Sequence, residues 1–90
     1  MTLPAGTRID RFGSPYGRFT SPEGIPLWQR ALPPHALEGD YSIYETTRDL
    51  RVLQGTIAPA FGQPGYGTQY VLPQNVRTLI DNGFLKEVGK

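Results

Sequence analysis

Tyr41-Ser42-Ile43-Tyr44-Glu45-Thr46-Thr47 alternates aromatic or β-branched side chains with polar ones. That period of two is the signature of a strand with one face buried. Residues 7–12 and 68–72 read the same way, with Arg8, Asp10 and Gln69 as their polar punctuation. Residues 50–53 and 56–58 are weaker strand candidates, and residues 84–88 should close the sheet. Eleven Gly and nine Pro in 90 residues break the chain into short segments, which favours turns and strands over long helices. One helix is nevertheless well signalled. Asn75 can cap its start, Val76, Leu79 and Ile80 share a face, and Gly83 can end it in a left-handed conformation. A second short helix or turn is expected over residues 27–32, ended by Pro33-Pro34. The predicted fold class is α+β: a small, mostly antiparallel β-sheet core with one or two short helices.

Ninety residues make one domain, 1–90, with room for a single core. A chain of this size buries only about 60–65% of the surface its unfolded form exposes, so modest stability is expected. The absence of cysteine excludes disulfides, a thiolate nucleophile and zinc–thiolate sites. The net charge of +1 argues against nucleic acid or a membrane surface as the main partner. Lys86 and Lys90 are the two lysines; the other seven basic residues are Arg, whose planar fork suits phosphate oxygens. An Arg-rich surface with no ligand fits the same count. No apolar run approaches the roughly 20 residues of a membrane span. The first six residues have neither the basic nor the apolar region of a secretory signal, so export would need a signal elsewhere in a larger parent chain.

The inventory of ionisable groups is small. His35 is the single His, which excludes a two-His metal site; it falls in an expected exposed loop, and no G-x-S-x-G elbow offers the positioned nucleophile that a Ser–His–carboxylate triad needs. The eight carboxylates lack the spacing of a metal-binding loop, and no phosphate-binding glycine motif joins a strand to a helix.

Two stretches stand out. Asp10-Arg11-Phe12-Gly13-Ser14-Pro15-Tyr16-Gly17-Arg18-Phe19-Thr20-Ser21-Pro22-Glu23-Gly24, followed by Trp28-Gln29-Arg30-Ala31-Leu32-Pro33-Pro34, interleaves Arg with aromatics. Such a pattern can hold phosphates and stack a ring. It reads equally as two strands joined by a Gly-Pro turn, with Phe12, Phe19 and Trp28 in the core. The second stretch, Ala58-Pro59-Ala60-Phe61-Gly62-Gln63-Pro64-Gly65-Tyr66-Gly67-Thr68-Gln69-Tyr70, is a Gly-rich loop feeding a strand. It offers either a backbone that approaches a ligand, with Gln69 presenting an amide, or a flexible hairpin connection.

Taken in order, these elements resemble the tuberculosis necrotizing toxin domain family, whose members are NAD glycohydrolases. The resemblance is carried by Asp10-Arg11-Phe12-Gly13, Gly17-Arg18-Phe19 with Ser21-Pro22 and Gly24, and Gln29-Arg30 with Leu32-Pro33-Pro34. Tyr41 to Glu45, Ile57-Ala58-Pro59, Phe61-Gly62-Gln63-Pro64-Gly65, Gly67-Thr68-Gln69-Tyr70 and Asn82-Gly83-Phe84-Leu85 complete it. It runs from about residue 3 to residue 88. The resemblance implies hydrolysis of NAD to ADP-ribose and nicotinamide by the C-terminal module of a larger secreted effector acting in a target-cell cytosol. It implies a cognate immunity protein as partner, NAD or NADP as substrate, and no cofactor beyond that substrate. Gln69 matches the family Gln regarded as essential, and Arg11 and Arg30 match Arg residues assigned to substrate binding. Three positions depart from the founding toxin. Ser42 stands where that toxin has a functional His, Phe19 where it has Tyr, and Tyr66 where the loop usually has Gly.

The reaction tolerates so few ionisable groups. Ordinary glycosidases need a general acid because an alkoxide leaves poorly. Nicotinamide is cationic in NAD and leaves as a neutral molecule. The remaining tasks are to hold the pyrophosphate (Arg11, Arg30), to stabilise a cationic ribose and admit water (Gln69), and to stack a ring (Phe12, Tyr16 or Phe19). Ser42, Gly65, Tyr66 and Gly67 are further expected to line the substrate site. Two other readings stay open. An ADP-ribosyltransferase would need Glu45 or Glu23 as its catalytic carboxylate. A binding module that kept the fold without the chemistry is the other, and Ser42 and Tyr66 are the positions that favour it.

Overall fold

In the computed structural model residues 1–89 are described, apart from the side chains of Leu37 and Glu38. Strands β1 (Thr2–Leu3), β2 (Arg8–Phe12), β3 (Phe19–Pro22), β4 (Tyr41–Thr46), β5 (Leu50–Arg51), β6 (Leu53–Thr56), β7 (Thr68–Val71) and β8 (Leu85–Gly89) account for most of the ordered backbone. Helices α1 (Leu27–Arg30) and α2 (Val76–Asp81) and a 3₁₀ helix over Pro34–Glu38 complete it. Six strands form one antiparallel sheet in the order β6-β7-β3-β2-β4-β8, and β1 pairs with β5 in a separate ribbon. Among the described residues no helix is long and apolar enough to cross a membrane.

The expected α+β class is the observed one, and the alternation that predicts β4 also sets its faces. Ser42, Tyr44 and Thr46 are buried while Tyr41, Ile43 and Glu45 are half-buried. Pairing carries the pattern across the sheet: Ile9 lies opposite Tyr44 and Arg11 opposite Ser42, while Asp10 lies opposite Ile43 and Phe12 opposite Tyr41. Successive side chains of a strand point to opposite faces. Ile9 and Tyr44 therefore face the hydrophobic core, which they share with Leu3, Leu50, Val52, Leu72, Val76, Leu79 and Leu85. Asp10 and Phe12 face the other side.

Helix α2 forms as its sequence dictates. The Asn75 side chain accepts a hydrogen bond from the Thr78 amide at 2.8 Å, capping the first turn. Val76 and Leu79, three residues apart, are buried in the core. Gly83 adopts φ +80°, with its amide donating to the Ile80 carbonyl and the Phe84 amide to that of Leu79. That pair of bonds is a Schellman ending and turns the chain into β8.

Four expectations are refined. The expected strand over residues 50–53 is two elements, because buried Val52 separates β5, which pairs with β1, from β6, which pairs with β7. The candidate at 56–58 is displaced to β6, since Ile57 and Ala58 lie in the loop that Pro59 interrupts. The exposed His35 sits on the 3₁₀ helix rather than in an irregular loop. Strands β2 and β3 do form the pair suggested for the first Arg–aromatic stretch, yet Phe19 and Trp28 are 59% and 52% exposed and belong to no core.

Candidate active site

On the face of the sheet away from the core, β2, β3 and β7 form the floor of a cleft of about 330 Å³, with the end of α1 and Ile57 as walls. Its lining is Asp10, Arg11, Phe12, Phe19, Thr20, Ser21, Arg30, Ala31, Leu32, Ile57 and Gln69. Strand register explains who meets whom. Asp10 is opposite Ser21 and Thr20 is opposite Tyr70, so Asp10, Phe12, Phe19, Ser21 and Gln69 all project to the cleft side. Residues 10 and 69 are far apart in sequence; β3, between β2 and β7, brings them to one surface.

The centre of the cleft is a buried ion pair. Arg30 donates Nη1 to Asp10 Oδ1 at 2.6 Å and Nη2 to Oδ2 at 2.8 Å, a two-point geometry that carboxylate and guanidinium fit best. The Arg30 Nε donates to the Ile25 carbonyl at 3.0 Å. Oδ2 of Asp10 also accepts from the Gly24 amide at 3.0 Å and the Tyr41 hydroxyl at 2.7 Å. Asp10 is fully buried and Arg30 is 6% exposed. A guanidinium has five N–H groups. Three of them are used here, and the other two, one on each terminal nitrogen, remain on a side chain that lines the cleft. Burial together with the hydrogen bond and charge of Asp10 pushes the Tyr41 hydroxyl up to about 12.

Phe12 is held from two sides. The Arg30 guanidinium carbon lies 5.0 Å from its ring centre, and the Tyr41 ring lies 4.6 Å away at 45°. Phe19 is the more exposed ring at the cleft, and Gln69, also in the lining, is half-buried. No hydrogen bond among the described residues engages the Gln69 amide.

Arg11 also borders the cleft, but its guanidinium is engaged by backbone rather than by this group. The register puts its side chain on the face of Ser42 and Tyr44, where Nε donates to the Ser14 carbonyl at 2.7 Å and Nη1 to the Phe19 carbonyl at 3.0 Å. Burial lowers its pKa, and the neighbouring Tyr44 opposes that shift. The guanidinium thus ties down the turn that carries Phe19. Ser42 is buried on that same far face, and Tyr16 is 71% exposed outside the lining.

The Gly-rich loop approaches protein rather than open cleft. Gly65 donates its amide to the Trp28 carbonyl at 3.0 Å and Gly67 donates to Gln29 at 3.0 Å, capping the end of α1. A Cβ on Gly67 would meet the Gln29 carbonyl at 2.8 Å, and one on Gly65 would meet that of Ile57 at 2.8 Å. Gln63 donates to the Leu32 carbonyl at 3.1 Å. Tyr66, between the two buried glycines, takes φ +68° and is 70% exposed. The loop therefore positions α1, and through it Arg30. Sequence reasoning missed Asp10 and Tyr41 as parts of the site. Asp10 had a signal, an acidic residue at an inward strand position, whereas its pairing with Arg30 depends on the tertiary fold.

Comparison with known proteins now places the chain. The model of the tuberculosis necrotizing toxin family matches residues 2–88. The chain belongs to that family. Among curated proteins, the conidial surface nicotinamide adenine dinucleotide glycohydrolase nadA of Aspergillus fumigatus is 46% identical over 94 residues. That match covers 97% of this chain and 40% of the relative, so the chain spans less than half of that protein's length. Tuberculosis necrotizing toxin, solved in complex with its immunity factor, superimposes with a TM-score of 0.78 at 25% identity, covering 96% of this chain and 54% of the toxin. The structure of Tse6 in complex with Tsi6 matches at a TM-score of 0.59 and 20% identity, over 100% of this chain and 70% of that one, which is a likeness of fold.

Proposed function

We propose that the chain is an NAD glycohydrolase module that splits the nicotinamide–ribose bond to give nicotinamide and ADP-ribose. The observation that carries this reading is the convergence of Arg30, Phe19 and Gln69 on one cleft in a member of this toxin family. The 46% identity to a protein named as an NAD glycohydrolase supports it. A cleft of about 330 Å³ lies at the small end of ligand sites, roughly 300–1,000 Å³. It suits one end of a dinucleotide, with the other end lying toward solvent.

In the reaction the bond between ribose C1′ and the pyridinium nitrogen breaks, and its electron pair returns to nicotinamide, neutralising it. Water oxygen bonds to C1′ and its proton leaves to solvent, so no acid is needed at the leaving group. The two uncommitted N–H groups of Arg30 would take oxygens of the phosphate or ribose. Gln69 would orient the ribose or the water by its neutral amide, and Phe19 would stack the planar ring. Arg11 would act by holding the Ser14–Phe19 turn. No cofactor enters this scheme.

The transferase reading fares worse. Of the residues lining the cleft Asp10 alone is a carboxylate, and Arg30, Gly24 and Tyr41 occupy it. Glu23 pairs with Arg8 at 3.2 Å and Glu45 with Lys86 at 3.3 Å, both outside the lining. We further propose that the module works as part of a larger exported protein, delivered to a cytosol where NAD is abundant. An immunity protein covering the cleft is its expected partner, as tuberculosis necrotizing toxin was solved with its own.

The test is NAD consumption with chromatographic separation of products. Free nicotinamide and ADP-ribose support the hydrolase, and label on protein would convert the reading to a transferase. Intact NAD in the presence of the folded domain would leave a binding module.

A further inference from the structure

We infer that Tyr41 and Asp10 are positioning residues that fix the ligand-facing hydrogens of Arg30. This inference rests on the glycohydrolase reading for the identity of the ligand. The geometry is that of a clamp. A carboxylate held only by Arg30 could swing with it, but Oδ2 of Asp10 is anchored by two further donors, the Gly24 amide and the Tyr41 hydroxyl. The guanidinium plane is then set at three points, by Asp10 Oδ1, Asp10 Oδ2 and the Ile25 carbonyl. With three N–H groups taken, the direction of the remaining two follows from that plane.

Charge gives a second reason. Arg30 is neutralised by Asp10, so the pair offers a ligand directed hydrogen bonds more than net charge, and the value of such donors depends on orientation. A buried ion pair is a poor source of stability, because desolvation offsets most of its attraction. Its cost is understandable where geometry is what the pair supplies. Tyr41 contributes twice, by its hydroxyl on Asp10 and by its ring against Phe12, the ring that Arg30 also covers.

The experiment compares the parent domain with Tyr41→Phe, Asp10→Asn, Arg30→Ala and the double variant Tyr41→Phe/Arg30→Ala. ADP-ribose binding is read by calorimetry and NAD turnover alongside, all well below each Tm. Tyr41→Phe keeps the ring and removes one hydroxyl, so it should fold. It is expected to weaken ADP-ribose binding and raise KM by fivefold or more, with kcat within twofold. In the Arg30→Ala background the same change should have no further effect on binding, since the hydroxyl acts through Arg30. Asp10→Asn should weaken binding more than Tyr41→Phe does. Unchanged affinity in Tyr41→Phe, or equal losses with and without Arg30, would overturn the inference. Failure of the glycohydrolase reading looks different: the parent binds ADP-ribose but leaves NAD intact. A parent that neither binds ADP-ribose nor consumes NAD overturns both.

Discussion

In the proposed reaction the side chains at the cleft would divide the work between holding and reacting, and single substitutions separate the two. Gln69 is half-buried at the cleft, and its amide serves no structural bond among the described residues. Gln69→Ala should therefore abolish NAD turnover and shift stability by no more than about 0.5 kcal/mol, as surface changes usually do. Product chromatography with a parallel melt checks both halves, and near-parental turnover would remove Gln69 from the mechanism. Arg11 is the opposite case. Arg11→Ala loses hydrogen bonds to the Ser14 and Phe19 carbonyls and should cost about 1–3 kcal/mol, read by urea denaturation. Its effect on NAD should be a raised KM, through a loosened Phe19. Tyr41 adds a pH signature. Its hydroxyl is pushed up from 10 to about 12, so the folded state favours the protonated form. The resulting stability is complete below pH 10 and is lost as pH rises toward 12. Tyr41→Phe should flatten that limb of the stability profile relative to the parent, and parallel limbs would show that the hydroxyl is neither buried nor held by Asp10 in solution.

At the scale of elements, the Gly-rich loop and α1 behave as one unit, since a four-residue helix cannot persist without partners for its carbonyls. Gly67→Ala would drive a Cβ into the Gln29 carbonyl and the Ile25 side chain, each at 2.8 Å. The expected cost is about 2–4 kcal/mol, with loss of NAD binding because Arg30 moves with its helix. Gly55→Ala, in open space on β6, is the control and should be near neutral in the same melts. This coupling also shows what the sequence makes legible. The alternation at residues 41–47 and the Asn75–Gly83 signals report on local periodicity and capping, and both elements form where expected. Strand β3 was readable only as half of a possible hairpin, because Phe19-Thr20-Ser21-Pro22 is short and ends in Pro, and its pairing with β7 is long-range. The same holds for the site. Gln69, Arg30 and Phe19 are visible from the family pattern. The carboxylate under Arg30, the loop beneath α1 and the far face taken by Arg11 arise from strand order.

At the scale of the molecule, the sheet separates stability from chemistry. The core on one face is built by β1, β2, β4, β5, β8, α2 and Leu72, whereas the cleft on the other is built by β2, β3, β7 and α1. Strands β2 and β7 supply both, with Ile9 in the core and Asp10 in the cleft, and Tyr70 packed against the core and Gln69 in the cleft. A ligand in the cleft should therefore staple β3, β7 and α1 to the better-packed half and stabilise the whole domain. Binding to the folded state alone adds about 2.7 kcal/mol at a hundred times Kd. For a domain of this size 1 kcal/mol is worth roughly 4–8 °C in Tm. ADP-ribose at that concentration should thus raise Tm by about 10–20 °C. Nicotinamide at the same molar concentration should do far less, because it lacks the oxygens that Arg30 would bind. The contrast is measurable by thermal shift, and it reads the site without relying on catalysis. Equal shifts from the two compounds would mean that any planar ring suffices for recognition and that Arg30 serves the fold. A shift from ADP-ribose that disappears in Arg30→Ala but survives in Gln69→Ala would assign binding to the end of α1 and chemistry to β7.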